Sequence, residues 1–195
     1  MKKIFFALAM IVLATGSESF AAVKVGEMAP NFNLKDEQGN EHSLSQYRGK
    51  IVVLEWINPE CPFVKRHYKA KTMTTLAETY SNKNVVWLAI DSSRSVTPEQ
   101  SRKWIEKHKI EYPILQDPKG EVGELYEAKT TPHMFIVDVK GILRYQGAID
   151  NDSWGTKEAK KVDNHVDQAL KALFAGQPPI LAETKPYGCS VKYKK

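Results

Sequence analysis

Cysteine is scarce in this 195-residue chain, which holds only two, Cys61 and Cys189. Two cysteines allow a single intramolecular pairing, so any thiol chemistry rests on these two positions. Long apolar runs are missing beyond the N-terminus, and no later segment is apolar over the length a bilayer requires. Internal repeats and low-complexity linkers are missing as well, which leaves one domain with a sizeable core as the expected organisation. The formal net charge is +5, but the lysines are scattered apart from the C-terminal Lys192, Lys194 and Lys195. A stripe of positive charge is what nucleic acid would require, so no nucleic-acid partner is expected.

What the chain does have begins at its N-terminus. Lys2 and Lys3 precede an apolar stretch from Ile4 to Ala14, and Ser19-Phe20-Ala21 puts small residues at the −3 and −1 positions of a cleavage site. This is the pattern of a secretory signal, predicting cleavage after Ala21, or after Ala22 as a close alternative. No cysteine follows the apolar run, which argues against a lipoprotein anchor. A buried N-terminal helix and an uncleaved anchor are the weaker alternatives. Residues 1–21 are therefore expected to be removed and the mature protein to be periplasmic or secreted, with no stable membrane insertion. In that oxidising compartment a disulfide can persist. Residues 22–177 are expected to form the domain, and 178–195 a C-terminal tail carrying Cys189.

Along the mature chain, residues 26–34 and 41–44 flank the turn Asp36-Glu37-Gln38-Gly39-Asn40 and predict a hairpin. Ile51 to Ile57 is almost continuously apolar, as a strand covered on both faces should be. One helix is expected from about Pro62 to Tyr80, then a buried strand at 85–90. Thr97-Pro98-Glu99-Gln100 opens a second helix, with Thr97 as N-cap and Pro98 in its first turn. A short extended piece at 112–115 and a helical segment at 121–127 follow. His133 to Asp138 and Ile142 to Gly147 predict an antiparallel hairpin. Val162, Val166, Ala169, Leu170 and Leu173 then mark the apolar stripe of a last helix ending at Gly176. The tail shows no clear periodicity. Together these predict an α/β fold with a mixed central sheet and helices on both faces.

Cys61 lies where the first central strand breaks into Asn58-Pro59-Glu60-Cys61-Pro62, just before the helix. Backbone N–H groups and the positive end of the helix dipole favour thiolate there, and the thiolate is the nucleophile. Lys65, Arg66 and His67 add positive charge, while Glu60 would oppose the thiolate if it lay close. A buried, inert cysteine is the bland alternative. His67, almost two turns along, is expected at the surface. Glu55, in the strand, could be a buried carboxylate of raised pKa and a proton acceptor, although a partly exposed residue satisfied by a lysine is preferred.

These residues resemble a known family. The order strand, Cys61 at a helix N-terminus, then Thr131-Pro132 before a hairpin is similar to the three-layer thioredoxin-like fold. Gly26 to Phe32, Gly39, Leu44 and Gly49-Lys50 resemble the N-terminal hairpin of the redoxins. Cys61-Pro62-Phe63-Val64-Lys65 with Gly188-Cys189-Ser190-Val191-Lys192 resembles the peroxiredoxin-like branch of the AhpC/TSA-type group. The resemblance implies that Pro132 is a cis-proline. It implies that Thr131 presents its backbone beside the Cys61 sulfur, where a substrate disulfide would pair. The chain also departs from the pattern. Val64 stands where thioredoxins carry a second cysteine. Asn58, Leu54 and Pro132 stand where peroxiredoxins have a threonine, a proline and an arginine; Arg144, on the next strand, could point inward in its place, with a solvent-facing arginine an equal alternative. These departures weigh against peroxidase activity.

The expected chemistry is thiol–disulfide exchange or thiol oxidation at Cys61, with a protein thiol or disulfide, or a peroxide, as substrate and no cofactor. The expected site is Cys61, Cys189, Thr131 and Pro132. Cys189 is the candidate resolving thiol, to be delivered by a flexible tail; a static 61–189 disulfide or an isolated thiol weighs equally. A soft copper site of Cys61, Cys189 and His133, and a non-catalytic domain stapled by the disulfide, are the alternatives from other classes. The oligomeric state is left open.

Overall fold

The computed structural model describes residues 23–194. The expected signal segment lies outside the described residues. Asn33–Lys35 (β1) and Glu41–Ser43 (β2) form the N-terminal hairpin. Ile51–Trp56 (β3) is buried at every position, as its uninterrupted apolar run requires. It runs parallel to Val85–Asp91 (β4), which is in turn parallel to Ile114–Gln116 (β5). On its other side it pairs antiparallel with His133–Val137 (β7), which turns back into Leu143–Gly147 (β8). The seven strands lie in the order β2-β1-β5-β4-β3-β7-β8. A separate ladder joins Thr130–Thr131 (β6) to Cys189–Ser190 (β9).

Side chains of β3 alternate between two cores, as a strand's period of two demands. Ile51 and Val53 face a core shared with Cys61, Val64, Tyr68, Met73, Trp104 and Leu170. Val52, Leu54 and Trp56 face the other, with Phe32, Val122, Tyr126 and Phe135. Helices Pro62–Lys69 (α1), Thr72–Tyr80 (α2), Pro98–His108 (α3) and His165–Phe174 (α5) supply the first core, and Glu121–Leu125 (α4) the second. Helices thus cover both faces of a mixed sheet, as expected.

Two expectations need correction. The single helix over 62–80 is two helices, parted at Lys71, which adopts a left-handed backbone with φ 56°. The break re-aims α2 so that Met73, Leu76 and Tyr80 are buried. The tail is not free. Its residues 182–184 run along the edge of β8, where the Gln146 N–H donates to the Ala182 carbonyl and the Thr184 N–H to the Gln146 carbonyl, each at 3.0 Å. Backbone pairing of this kind needs no side-chain periodicity, which is why the tail's sequence does not announce it.

Candidate active site

Cys61 is the N-cap residue of α1, with extended backbone (φ −72°, ψ 124°) and Pro62 at the first helical position. The Cys61 carbonyl accepts the first intrahelical bond, from the Lys65 N–H at 2.9 Å. Strand β3 ends at the sheet's centre, so the cysteine emerges at the C-terminal edge of the sheet, beside the Thr131–Pro132 bend. The Thr131–Pro132 peptide is cis. The Cys61 thiol donates to the Thr131 carbonyl at 3.0 Å. This is the juxtaposition expected of Thr131 and Pro132.

Cys189 comes to the same place. In the β6–β9 ladder it is the register partner of Thr131, and Ser190 that of Thr130. Both cysteines are free thiols, Cys61 buried and Cys189 half-buried. Burial pushes the Cys61 thiol up. The Cys189 thiol, the Thr131 hydroxyl and the backbone N–H groups of Val64 and Cys189 outweigh it, so its pKa lies below the ordinary thiol value. The Thr131 hydroxyl oxygen is itself buried and makes no hydrogen bond while Cys61 donates to the Thr131 carbonyl, which leaves it free to donate to a thiolate. Cys189 is pushed the opposite way, to about 11, by burial and by the neighbouring Cys61 sulfur. The two neighbouring thiols are thus shifted in opposite directions, Cys61 down and Cys189 up, which favours Cys61 as the more readily ionised of the pair.

Two side chains, His67 and Glu55, lie elsewhere than expected, and two more, Arg144 and Glu60, are left open by the sequence. His67 is buried, not at the surface, and its Nε2 is 2.9 Å from the Tyr187 hydroxyl. That hydroxyl donates to Asp150. Burial and the Arg66 charge outweigh the nearby aspartates and depress His67 to about 4. Glu55 is fully buried with no lysine beside it; its Oε2 accepts from Trp87 Nε1 at 2.7 Å and from the Tyr112 hydroxyl at 3.3 Å. Burial raises it to about 7 despite these donors. Arg144 pairs with Asp138 at 2.6 Å and does not serve Cys61. Glu60 is exposed and sits 3.5 Å from Lys65, so it does not crowd the sulfur.

His133 is buried on β7, its ring against Phe135 and its Nδ1 accepting from the Lys129 N–H at 3.3 Å. Among the described residues no three His, Cys, Asp or Glu side chains gather as a metal ion would require. No described helix is long and apolar enough to cross a membrane.

Residues to which the sequence reading gave no role hold the tail in place. The Tyr187 ring lies 6.1 Å from that of Phe63, with the Arg66 guanidinium 5.8 Å from its centroid. The Tyr193 hydroxyl donates to the Ala128 carbonyl at 2.7 Å, and its ring covers Gly120 and Gly123. The signal available in the sequence was two tyrosines flanking Cys189 in the tail.

A model of the AhpC/TSA family matches residues 25–146. The chain is 33% identical over 124 residues to "Thiol-disulfide oxidoreductase ResA" of Geobacillus kaustophilus (strain HTA426), covering 63% of this chain and 68% of that protein. It is 26% identical over 157 residues to "Peroxiredoxin Bcp" of Bacillus subtilis (strain 168), covering 77% of this chain and 95% of that one. A solved structure of an uncharacterized conserved protein from Geobacillus kaustophilus superposes with a TM-score of 0.77 at 30% identity, covering 88% of this chain and 93% of that one.

Proposed function

The chain belongs to the AhpC/TSA family of thioredoxin-fold redoxins, and from that premise we propose that it is an exported thiol–disulfide oxidoreductase in which Cys61 attacks and Cys189 resolves. One observation carries this reading: Cys189 is strand-paired to Thr131, the residue whose carbonyl receives the Cys61 thiol. The pair replaces the local Cys-x-x-Cys that Val64 precludes.

The Cys61 thiolate attacks one sulfur of a substrate disulfide in line. A Cys61–substrate disulfide forms, the substrate's own S–S bond breaks, and its other sulfur leaves as thiolate and takes up a proton. Cys189 then loses its proton and attacks Cys61, forming the 61–189 disulfide and releasing the second substrate thiol. The substrate gains two electrons and the protein loses two. The reverse sequence oxidises a dithiol. Thr131 stabilises the thiolate through its hydroxyl, and the α1 N-terminus adds the Val64 N–H. Pro132 fixes the bend that turns the Thr131 carbonyl toward the sulfur.

Protein disulfides fit this site better than peroxide. No arginine replaces the one lost at Pro132, since Arg144 is engaged by Asp138 and Arg66 donates to the Ser153 carbonyl at 3.0 Å and the Asp152 carbonyl at 2.9 Å. Cleavage after Ala21 would deliver residues 22–177 as the domain and 178–195 as the resolving tail to the periplasm or the exterior. N-terminal sequencing of the exported protein tests that assignment, and a chain still carrying Met1 would refute it. The redox reading is tested by trapping. The reduced Cys189→Ser protein, mixed with a protein disulfide, should accumulate a mixed disulfide on Cys61, whereas a Cys61 left unmodified would reject it.

A further inference from the structure

Cys61 is only 2% exposed. The groups around its sulfur come from α1, from the Thr131 bend and from the tail. Helix α1 and the Thr131 bend, which leads directly into β7, belong to the fold's body, whereas the segment around Cys189 is held by a two-residue ladder, its upstream residues 182–184 pairing with the edge of β8. A substrate disulfide therefore reaches Cys61 by replacing the tail.

The way the tail is held describes what can replace it. Beyond the ladder, the Val191 N–H donates to the Lys129 carbonyl at 3.3 Å and the Lys192 carbonyl accepts from Arg94 at 3.0 Å. These are main-chain bonds that any extended segment could make. Side-chain selection occurs at three points. Tyr187 fills a seat formed by Phe63, His67, Arg66 and Asp150. Gly188 has φ 138°, and a Cβ there would overlap the Thr131 carbonyl oxygen. Tyr193 fills a slot floored by Gly120 and Gly123, either of which would collide with its ring if it carried a Cβ.

We propose that the β6 edge, with these two aromatic seats, is the docking site for an extended partner segment with an aromatic residue two positions before its cysteine and glycine immediately before it. Residues 187–193 are the built-in occupant of that site. The proposal rests on the exchange reading above and adds the class of partner. It also explains product release, because the returning tail takes back the seats and brings Cys189 to the mixed disulfide.

The test uses the full chain in a Cys189→Ser background, so that alkylation by iodoacetamide reports Cys61 alone. Gly188→Ala should expel the tail and speed alkylation by about tenfold or more, the factor that losing one or two net hydrogen bonds gives. The unreactive peptide Tyr-Gly-Ser-Ser-Val-Lys-Tyr should slow it again, and the same peptide with alanine for glycine should not. Tyr193→Ala, which removes only the distal anchor, should give a smaller acceleration with the same reversal and serves if Gly188→Ala does not fold. Unchanged protection in both variants, or acceleration that the peptide does not reverse, overturns the proposal. Protection that grows with protein concentration gives the seat to a second copy and also overturns it. Fluorescence anisotropy of the labelled peptide reads docking whether or not Cys61 exchanges disulfides, so a failed exchange reading is distinguishable from a failed docking site.

Discussion

Cys61 and Cys189 meet at one backbone position, Thr131, but are held there by opposite means. Cys61 is fixed by the fold's centre: a strand buried on both faces delivers it, and a helix begins on it. Cys189 is fixed by the fold's margin, a two-residue ladder with a tyrosine on either side. The difference divides the labour. The thiol on the rigid junction is the one whose pKa is lowered, and the thiol on the removable strand is the one whose pKa is raised. In the proposed cycle, nucleophile and resolver are thus distinguished by what holds them as much as by charge.

The comparison breaks most sharply at the cysteines. Cys61→Ser should reduce turnover of a protein disulfide to the uncatalysed background. Cys189→Ser should leave the first exchange intact and block the second, so that one substrate thiol is released per protein; full turnover would show that Cys189 resolves nothing. Next is Tyr187→Phe, which takes a partner from Asp150 and His67 and should lower unfolding stability by about 1–3 kcal/mol in urea melts. A loss of that size with unchanged Cys61 alkylation would mean that the seat does not hold the tail over the thiol. Thr131→Val removes the hydroxyl facing Cys61 and should move the midpoint of its alkylation–pH profile upward, whereas Thr131→Ser should restore it.

The last effect lies away from the tail and sharpens the contrast by showing what the rigid side costs. Glu55 has its pKa raised from 4.5 to about 7 by burial. A group that holds its proton more tightly when folded contributes stability that is complete below its unfolded pKa and lost as pH rises through the folded one. Stability should therefore fall between about pH 4.5 and 7, and Glu55→Gln should flatten that decline in pH-dependent melts. Identical slopes in the two proteins would remove Glu55 as the cause.

The same division decides what could be read in advance. The site's rigid half is local in sequence: an apolar run, a break, a cysteine and a proline lie within a dozen residues, and Thr97, Pro98 and Gln100 likewise mark the start of α3. The N-terminal hairpin and the Thr131–Pro132 bend were legible for the same reason, the latter with help from family resemblance. The other half depends on residues far apart. His67 is buried because Tyr187, 120 positions away, covers it. Glu55 tolerates burial because Trp87 and Tyr112 donate to it, from 32 and 57 positions away. The tail's order comes from main-chain pairing, which leaves no trace in hydrophobic periodicity. The break at Lys71 involves neither glycine nor proline, so no residue flagged it.

The central claim is that Cys61 and Cys189 work as one two-electron couple. The direct measurement is to mix reduced protein with one equivalent of a protein disulfide, quench with acid and map the disulfides by mass spectrometry. The account predicts a single intramolecular 61–189 bond and two substrate thiols released per chain. A Cys61–Cys61 bond between two chains, or an oxidised Cys61 with Cys189 still free, would contradict it.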